Sequence, residues 1–160
     1  MPFKQVFETA LDAQWSADEG LKIGDKPGDI RWERDSGGMK AYKCFISSGA
    51  LDFVARDVVF YVSATGYIAH TVTATLSESS NVGAGVSMAA VTTAGVRFWA
   101  QLTGPVILAT TLDGTTVAGD ALTGVAAVNK SLTISAAVDD FIVASSIVDA
   151  TDSIFCAFPF

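Results

Sequence analysis

GVSMAAVTTAGVRFWAQLTG, running from Gly85 to Gly104, sets two β-strand patterns on either side of a Thr93-Ala94-Gly95 turn. Small and β-branched residues fill its first half, and its second half alternates around Phe98 and Trp99, the mixture that fits a pleated, half-buried surface. It contains no histidine, cysteine or carboxylate. The segment therefore predicts a packed β structure rather than site chemistry.

The same signals recur on both sides of it. Strand patterns fall at Val58 to Val62, Tyr67 to Leu76, Val86 to Val91, Val96 to Leu102, Val106 to Thr111, Gly124 to Val128, Leu132 to Ser135, Phe141 to Ser146 and Ile154 to Phe158. Turn residues separate them at short spacing, most clearly Leu112-Asp113-Gly114-Thr115 and Gly119-Asp120. Many short strands with such punctuation predict an all-β body, a β-sandwich or a jelly-roll or barrel-like fold of antiparallel strands. No repeat period of a propeller or solenoid emerges.

At 160 residues the chain is one domain with a real core. Half of it is hydrophobic and only 17% is charged, against roughly a quarter in average soluble domains. A membrane or a protein interface must absorb that surplus. Val58 to Ser77 lacks Asp, Glu, Lys and Arg and is long enough to span a bilayer as a helix, but Ser63-Ala64-Thr65-Gly66 interrupts it and Ile68, His70, Val72, Ala74 and Leu76 alternate at a period of two. The reading is a hairpin, with no membrane partner. The start, Met1-Pro2-Phe3-Lys4, lacks the apolar run of a secretory signal, so the chain is expected to fold in the cytoplasm where it is made.

Lys4, Lys22, Lys26, Arg31, Arg34, Lys40, Lys43 and Arg56 all precede Asp57, whereas only Arg97 and Lys130 follow it. With a net charge of -7 there is no basic stripe to neutralise phosphates, so nucleic acid is not an expected partner. Cys44 and Cys156 are too few for a disulfide framework or metal knuckle and sit in apolar runs, which predicts buried thiols. Pairing stays open should their strands be neighbours.

The organisation expected is an N-terminal arm and hairpin over 1–49 and a β-rich body over 50–160, compact as a whole. Phe3, Val6, Phe7, Ala10, Leu11 and Trp15 follow helical spacing, which gives the arm a short amphipathic helix ending at Ser16 to Gly20. That helix either packs on its own domain or docks into a neighbour's groove. Ile30 to Arg34 and Met39 to Phe45 flank Asp35-Ser36-Gly37-Gly38, a hairpin turn, with Lys40 and Lys43 placed to blunt an edge strand.

Site chemistry is sparse. Gly83-Ala84-Gly85 has Met88 where a dinucleotide fingerprint needs its third glycine, and a strand where it needs a helix. His70, the one histidine, cannot build a triad or multi-histidine metal site and reads as a hydrogen-bonded core or interface residue. Asp139, Asp140, Asp149 and Asp152 could hold calcium or act as hydrolase acids but fit exposed turns better. Asn129-Lys130-Ser131 matches a glycosylation acceptor and reads as a turn. Trp15, Trp32 and Trp99 could stack on sugars; Trp99 shares its strand face with Arg97 and Gln101, and aromatics beside arginine are typical of protein contacts. No catalytic residue, metal or cofactor is expected.

The order of these patterns resembles that of tailed-bacteriophage capsid decoration (cement) proteins. There a "GVA…A" strand leads through a short turn into a "YGWVQ…G" strand, matched by Gly85 onward, by Arg97-Phe98-Trp99-Ala100-Gln101 and by Gly104. The Trp32 strand, its glycine-bearing turn, the Tyr42 strand and Asp57-Val58-Val59-Phe60-Tyr61 follow the same series, so the resemblance covers roughly Gly28 to Phe160. It implies a virion protein on the outer surface of the capsid that stabilises the shell by bridging major capsid subunits, as a homotrimer or, second, a dimer. In that setting His70, Arg97, Trp99 and Gln101 are the expected subunit interface. Phe3, Val6, Phe7, Leu11 and Trp15, outside the resemblance, are the expected capsid contact. The alternative is a head-fibre or adhesin-type β module for a host surface or glycan.

Overall fold

The computed structural model describes residues 10–16, 25–63, 65–124, 128–137, 140–148 and 151–159. It is nearly all β, in two mostly antiparallel sheets around a shared core, as the punctuated strand pattern predicts. The first sheet holds β1 (Gln14–Trp15), β2 (Ile30–Asp35), β3 (Gly38–Ser47), β4 (Val58–Val62), β5 (Thr71–Thr73), β6 (Ser79–Ser87) and β7 (Arg97–Gln101), in the order β1-β7-β6-β4-β5-β3-β2. The second holds β8 (Thr103–Ile107), β9 (Ala121–Thr123), β10 (Thr133–Ile134), β11 (Ile142–Val148) and β12 (Ser153–Ala157), in the order β10-β9-β11-β12-β8.

The opening stretch folds as expected in its second half, where Arg97–Gln101 is strand, whereas the strand expected at Val86 to Val91 lies earlier in the chain, at Ser79–Ser87. β6 and β7 pair antiparallel through Val86 with Gln101 and Ser87 with Ala100, and residues 88–96 loop between them. β7 also pairs with β3, from Tyr42 with Gln101 to Ile46 with Arg97. Because β3 pairs in parallel with β5, the pairings of β3, β7, β6, β4 and β5 close on themselves. The β2–β3 hairpin turns at Ser36-Gly37, where the Gly37 N–H donates to Asp35 Oδ1 at 2.7 Å, and it belongs to this sheet.

Side-chain alternation then fills the space between sheets. Phe45, Phe98, Ala100 and Val86 from the first sheet meet Leu122, Val143, Ile154 and Cys156 from the second, all fully buried. Burial of that order at about 25 cal/mol per Å² is the main force holding the sheets together. At Gly83 the sheets approach so closely that a Cβ would lie 2.6 Å from the Phe158 ring. Asp57, almost wholly buried, ties loops to this core: its carboxylate accepts from the Val54 N–H at 2.9 Å and the Thr110 hydroxyl at 2.8 Å, with Lys130 Nζ at 3.6 Å.

Three expectations change. Tyr67 to Ala69 are not strand: Gly66–Ala69 form a single helical turn, α1, closed by His70 in the left-handed region at φ 52°. The turn lays Tyr67 over Tyr61, rings 4.4 Å apart and stacked, which an extended chain would not do. Ala10 to Ser16 hold a turn and β1 instead of continuing a helix, because pairing with β7 buries Trp15. Lys43 does not guard an edge; β3 has partners on both sides, and Lys43 Nζ lies inside, 3.3 Å from the Tyr61 hydroxyl and 5.5 Å from the Phe45 ring centre. No described helix is long and apolar enough to cross a membrane.

Candidate binding surfaces

Strand periodicity puts Arg97, Trp99 and Gln101 on one face of β7, pointing away from the inter-sheet core. That face is covered within the chain. Trp99 is fully buried in a second cluster with Trp15, Tyr42 and Cys44, with Leu11 and Met88 packed against it. The Trp15 and Trp99 rings lie 6.2 Å apart, and the Arg31 guanidinium sits 5.9 Å from the Trp99 ring centre. Gln101, equally buried, aims Nε2 at the carbonyls of Thr103, Gly104 and Pro105 at 3.0 to 3.2 Å and so fastens the corner into β8. Trp99 and Gln101 thus line no outer surface, and Trp99 offers no ring to a sugar.

The expected capsid contact divides. Phe3, Val6 and Phe7 lie outside the described residues, whereas Leu11 and Trp15 pack on their own domain as a short strap over Cys44 and Trp99. The strap is imperfectly satisfied. Among the described residues, Trp15 Nε1, both carboxylate oxygens of Asp25 and Arg97 Nε are buried with no hydrogen-bond partner. Cys44 Sγ reaches the Asp25 carbonyl at 3.8 Å, and burial pushes its pKa up to about 12. Cys156 lies in the inter-sheet core, its pKa also raised by burial, and both thiols are free.

His70 shares a polar corner with Lys43 and Asp29. Its pKa is lowered first by burial and then by the Lys43 charge, with Asp29 opposing, and its ring fills the space a side chain at Gly28 would need. Lys43 is lowered by burial alone. These shifts come from packing. Asp140 accepts from the Ala137 and Ala136 N–H groups and the Ser135 hydroxyl, which lower its pKa, and Asp152 accepts from the Leu112 N–H. Asp140 caps its own turn and Asp152 ties the distant Leu112 loop to the start of β12, while Asp139 and Asp149 lie outside the described residues. No group of three metal-ligating side chains occurs among the described residues. Asn129, in the glycosylation-like triplet, accepts from the Leu76 N–H at 2.8 Å.

The outward surface that sequence reasoning did not single out is the five-stranded sheet. None of β8 to β12 contains Asp, Glu, Lys, Arg or His. Register puts Phe155 between Ser145 of β11 and Pro105 of β8, and Ile107 opposite Ser153, on the face away from the core. Phe155 and Ile107 are half exposed there, while Ile154 and Cys156 between them point inward. Beside Ile107 a groove of about 340 Å³ is lined by Arg56, Pro105, Val106, Ile107, Ile147 and Ser153. The scarcity of basic residues after Asp57 was the one sequence signal for this face.

Comparison with protein-family models, with curated proteins and with solved structures finds no match for this chain.

Proposed function

We propose that this chain is a structural protein of a tailed-bacteriophage head, held on the outside of the assembled capsid, where it bridges neighbouring major capsid subunits. The observation that carries this reading is the outer face of the five-stranded sheet, whose strands hold no charged residue and from which Phe155, Ile107 and Ile147 stand out. Exposed apolar patches of this kind mark protein contacts more often than reaction sites. The ordered resemblance from the Trp32 hairpin to the last strand points the same way. A protein that binds only the assembled shell stabilises it by mass action, by RT ln(1 + [L]/Kd) for each site.

The test is uptake. Purified chain added to expanded heads should bind at a copy number commensurate with the lattice and raise the temperature at which the heads open. Heads that never take it up, at any concentration, would end this reading. The adhesin reading keeps one specific support, Trp32, which is half exposed on β2. It requires glycan-array binding that Trp32→Ala abolishes with folding intact.

A further inference from the structure

We infer that the Arg56 groove is a docking site for an extended protein segment that carries an acidic residue and, two positions away, an apolar one. Two local irregularities build the groove. Arg56 is the third residue of a turn closed by the Asp57 N–H on the Val54 carbonyl at 3.2 Å, and its φ is 75°, a conformation that favours glycine. Its backbone is pinned there: the N–H donates to the Ser87 carbonyl at 2.7 Å, and the carbonyl accepts from the Ala109 N–H at 3.0 Å. From β11 comes a bulge. Ser146 pairs with Ile154 and Val148 with Ser153, so Ile147 is the extra residue between them, and it lines the groove. An arginine where glycine is favoured and a bulged isoleucine thus meet around one space of about 340 Å³. Backbone strain and bulges of this kind concentrate at binding sites.

Charge names the acidic half of the occupant. Among the described residues, the Arg56 guanidinium has no hydrogen bond and no ion pair. Asp57, next to it in the chain, is buried and occupied by Val54, Thr110 and Lys130, and Asp152, next to Ser153, is occupied by the Leu112 N–H. Pro105, Val106, Ile107, Ile147 and Ser153 bring no charge to the lining. A free fork of donors among apolar walls matches a carboxylate, which it holds by two parallel hydrogen bonds. The net charge of -7 does not cancel that match, because screening limits the reach of more distant acids to about 8 Å at physiological salt, whereas a docked carboxylate touches Arg56.

Size and surroundings choose a protein segment over a free small acid. The groove stands at the low end of small-molecule sites, about 300–1,000 Å³. Ile107, which lines it, is half exposed, and the half-exposed Phe155 stands on the same face two residues along β12 from Ser153. That offset is about 7 Å at the rise of a β-strand, the distance between side chains two apart on one side of an extended peptide. A free acid in the groove would leave Phe155 in water. A segment with its carboxylate on Arg56 and an apolar side chain two positions on covers both. This deepens the capsid reading by naming the chemistry of the segment the face receives, and it rests on that reading only for the identity of the partner.

Nuclear magnetic resonance titration of the isotopically labelled chain with the peptide Thr-Glu-Thr-Leu-Thr, blocked at both ends, tests the site. Resonances of Arg56, Ile107, Ile147, Ser153 and Phe155 should shift with millimolar peptide, and the counterpart with Gln for Glu should bind about threefold more weakly, as the loss of an exposed ion pair requires. Arg56→Gly is the deciding variant, because glycine suits the turn. It should melt no lower than wild type, bind the Glu peptide about threefold more weakly and no longer tell Glu from Gln. Ile147→Ser should weaken both peptides alike. Equal binding of the two peptides by wild type overturns the inference, as does an Arg56→Gly variant that melts well below wild type, which would make the arginine structural. Octanoate that shifts the groove where the peptide does not would assign it to a free small acid and overturn it too. Heads that take up a chain to which no peptide binds would end this inference and leave the capsid reading standing. Charge-dependent peptide binding without uptake by heads would sustain the site and remove the capsid reading instead.

Discussion

Trp15→Ala should open the strap without unfolding the domain. Trp15 is 4% exposed and packs on Trp99 and Cys44. Burying about 200 Å² of aromatic surface at about 25 cal/mol per Å² is worth about 5 kcal/mol. Against this, its Nε1–H is buried without a partner, a penalty of about 1–3 kcal/mol that truncation relieves. The net loss expected is about 3 kcal/mol, and it falls on a two-residue strand rather than on the inter-sheet core. Thiol labelling reads this directly, because Cys44 lies under the strap and Cys156 between the sheets. At pH 8 a thiol near its usual pKa of 8.5 is about a quarter ionised, whereas one at about 12 is ionised in roughly one molecule in ten thousand, so release of Cys44 is worth about three orders of magnitude in thiolate. Trp15→Ala should therefore label at Cys44 at least about a hundredfold faster than wild type, with Cys156 unchanged. Trp15→Phe, which removes the orphaned donor but keeps a ring, should stay near wild type. Equal Cys44 rates in Trp15→Ala and wild type would refute the strap, and parallel acceleration of Cys156 would show global unfolding instead.

Other positions give independent checks. Asp57→Ala leaves the Val54 N–H, the Thr110 hydroxyl and Lys130 without their shared carboxylate and should cost about 3 kcal/mol in urea denaturation; a loss under about 1 kcal/mol would contradict its role as the tie between these loops. Gly83→Ala drives a methyl against Phe158 and Val143 and should cost about 1–3 kcal/mol or more, with Phe158→Leu in the same chain recovering part of it. Tyr42 and Tyr61 are both raised to about 12, chiefly by burial. A raised folded pKa means stability that is fully present below the unfolded value near 10 and is lost as pH climbs to about 12, by about 2–3 kcal/mol per tyrosine. Tyr42→Phe should remove its share of that alkaline slope, and an unchanged slope would show that Tyr42 ionises freely in the folded chain.

Short-range chemistry made much of the fold legible. Asp35-Ser36-Gly37-Gly38 announced its hairpin because an aspartate that accepts from the N–H two residues on is a local device. Alternation around Phe98 and Trp99 announced β7 in the same way. The parallel pairing of β3 with β5, and the closure it produces, joins residues far apart in the chain and leaves no local trace. Tyr67 to His70 misled because Tyr, Ile, Ala and His satisfy a period of two almost as well as a helical turn, and the stack of Tyr67 on Tyr61 settled the choice. Likewise β7 reads as a strand with one face for a partner, but whether that partner is another subunit or the chain's own Trp15 depends on a contact between distant segments. Arg56 and Ser153, nearly a hundred residues apart, line one groove only through the path of β8 and β12.

The two sheets divide the work of solvation. Among the described residues, every charged residue that lies in a strand lies in the seven-stranded sheet: Arg31, Glu33, Arg34 and Asp35 in β2, Lys40 and Lys43 in β3, and Arg97 in β7. That sheet has its inner face in the core and part of its outer face under the strap, so its surplus apolar area is consumed within one chain. Among the described residues, the five-stranded sheet has only its inner face so covered. A chain with no second partner would gain solubility, and lose nothing in its core, from a lysine at Ser145, Ser153 or Phe155, since these side chains point away from it. The outward positions instead carry serine, proline, isoleucine and phenylalanine, the composition that the proposed protein contact would require.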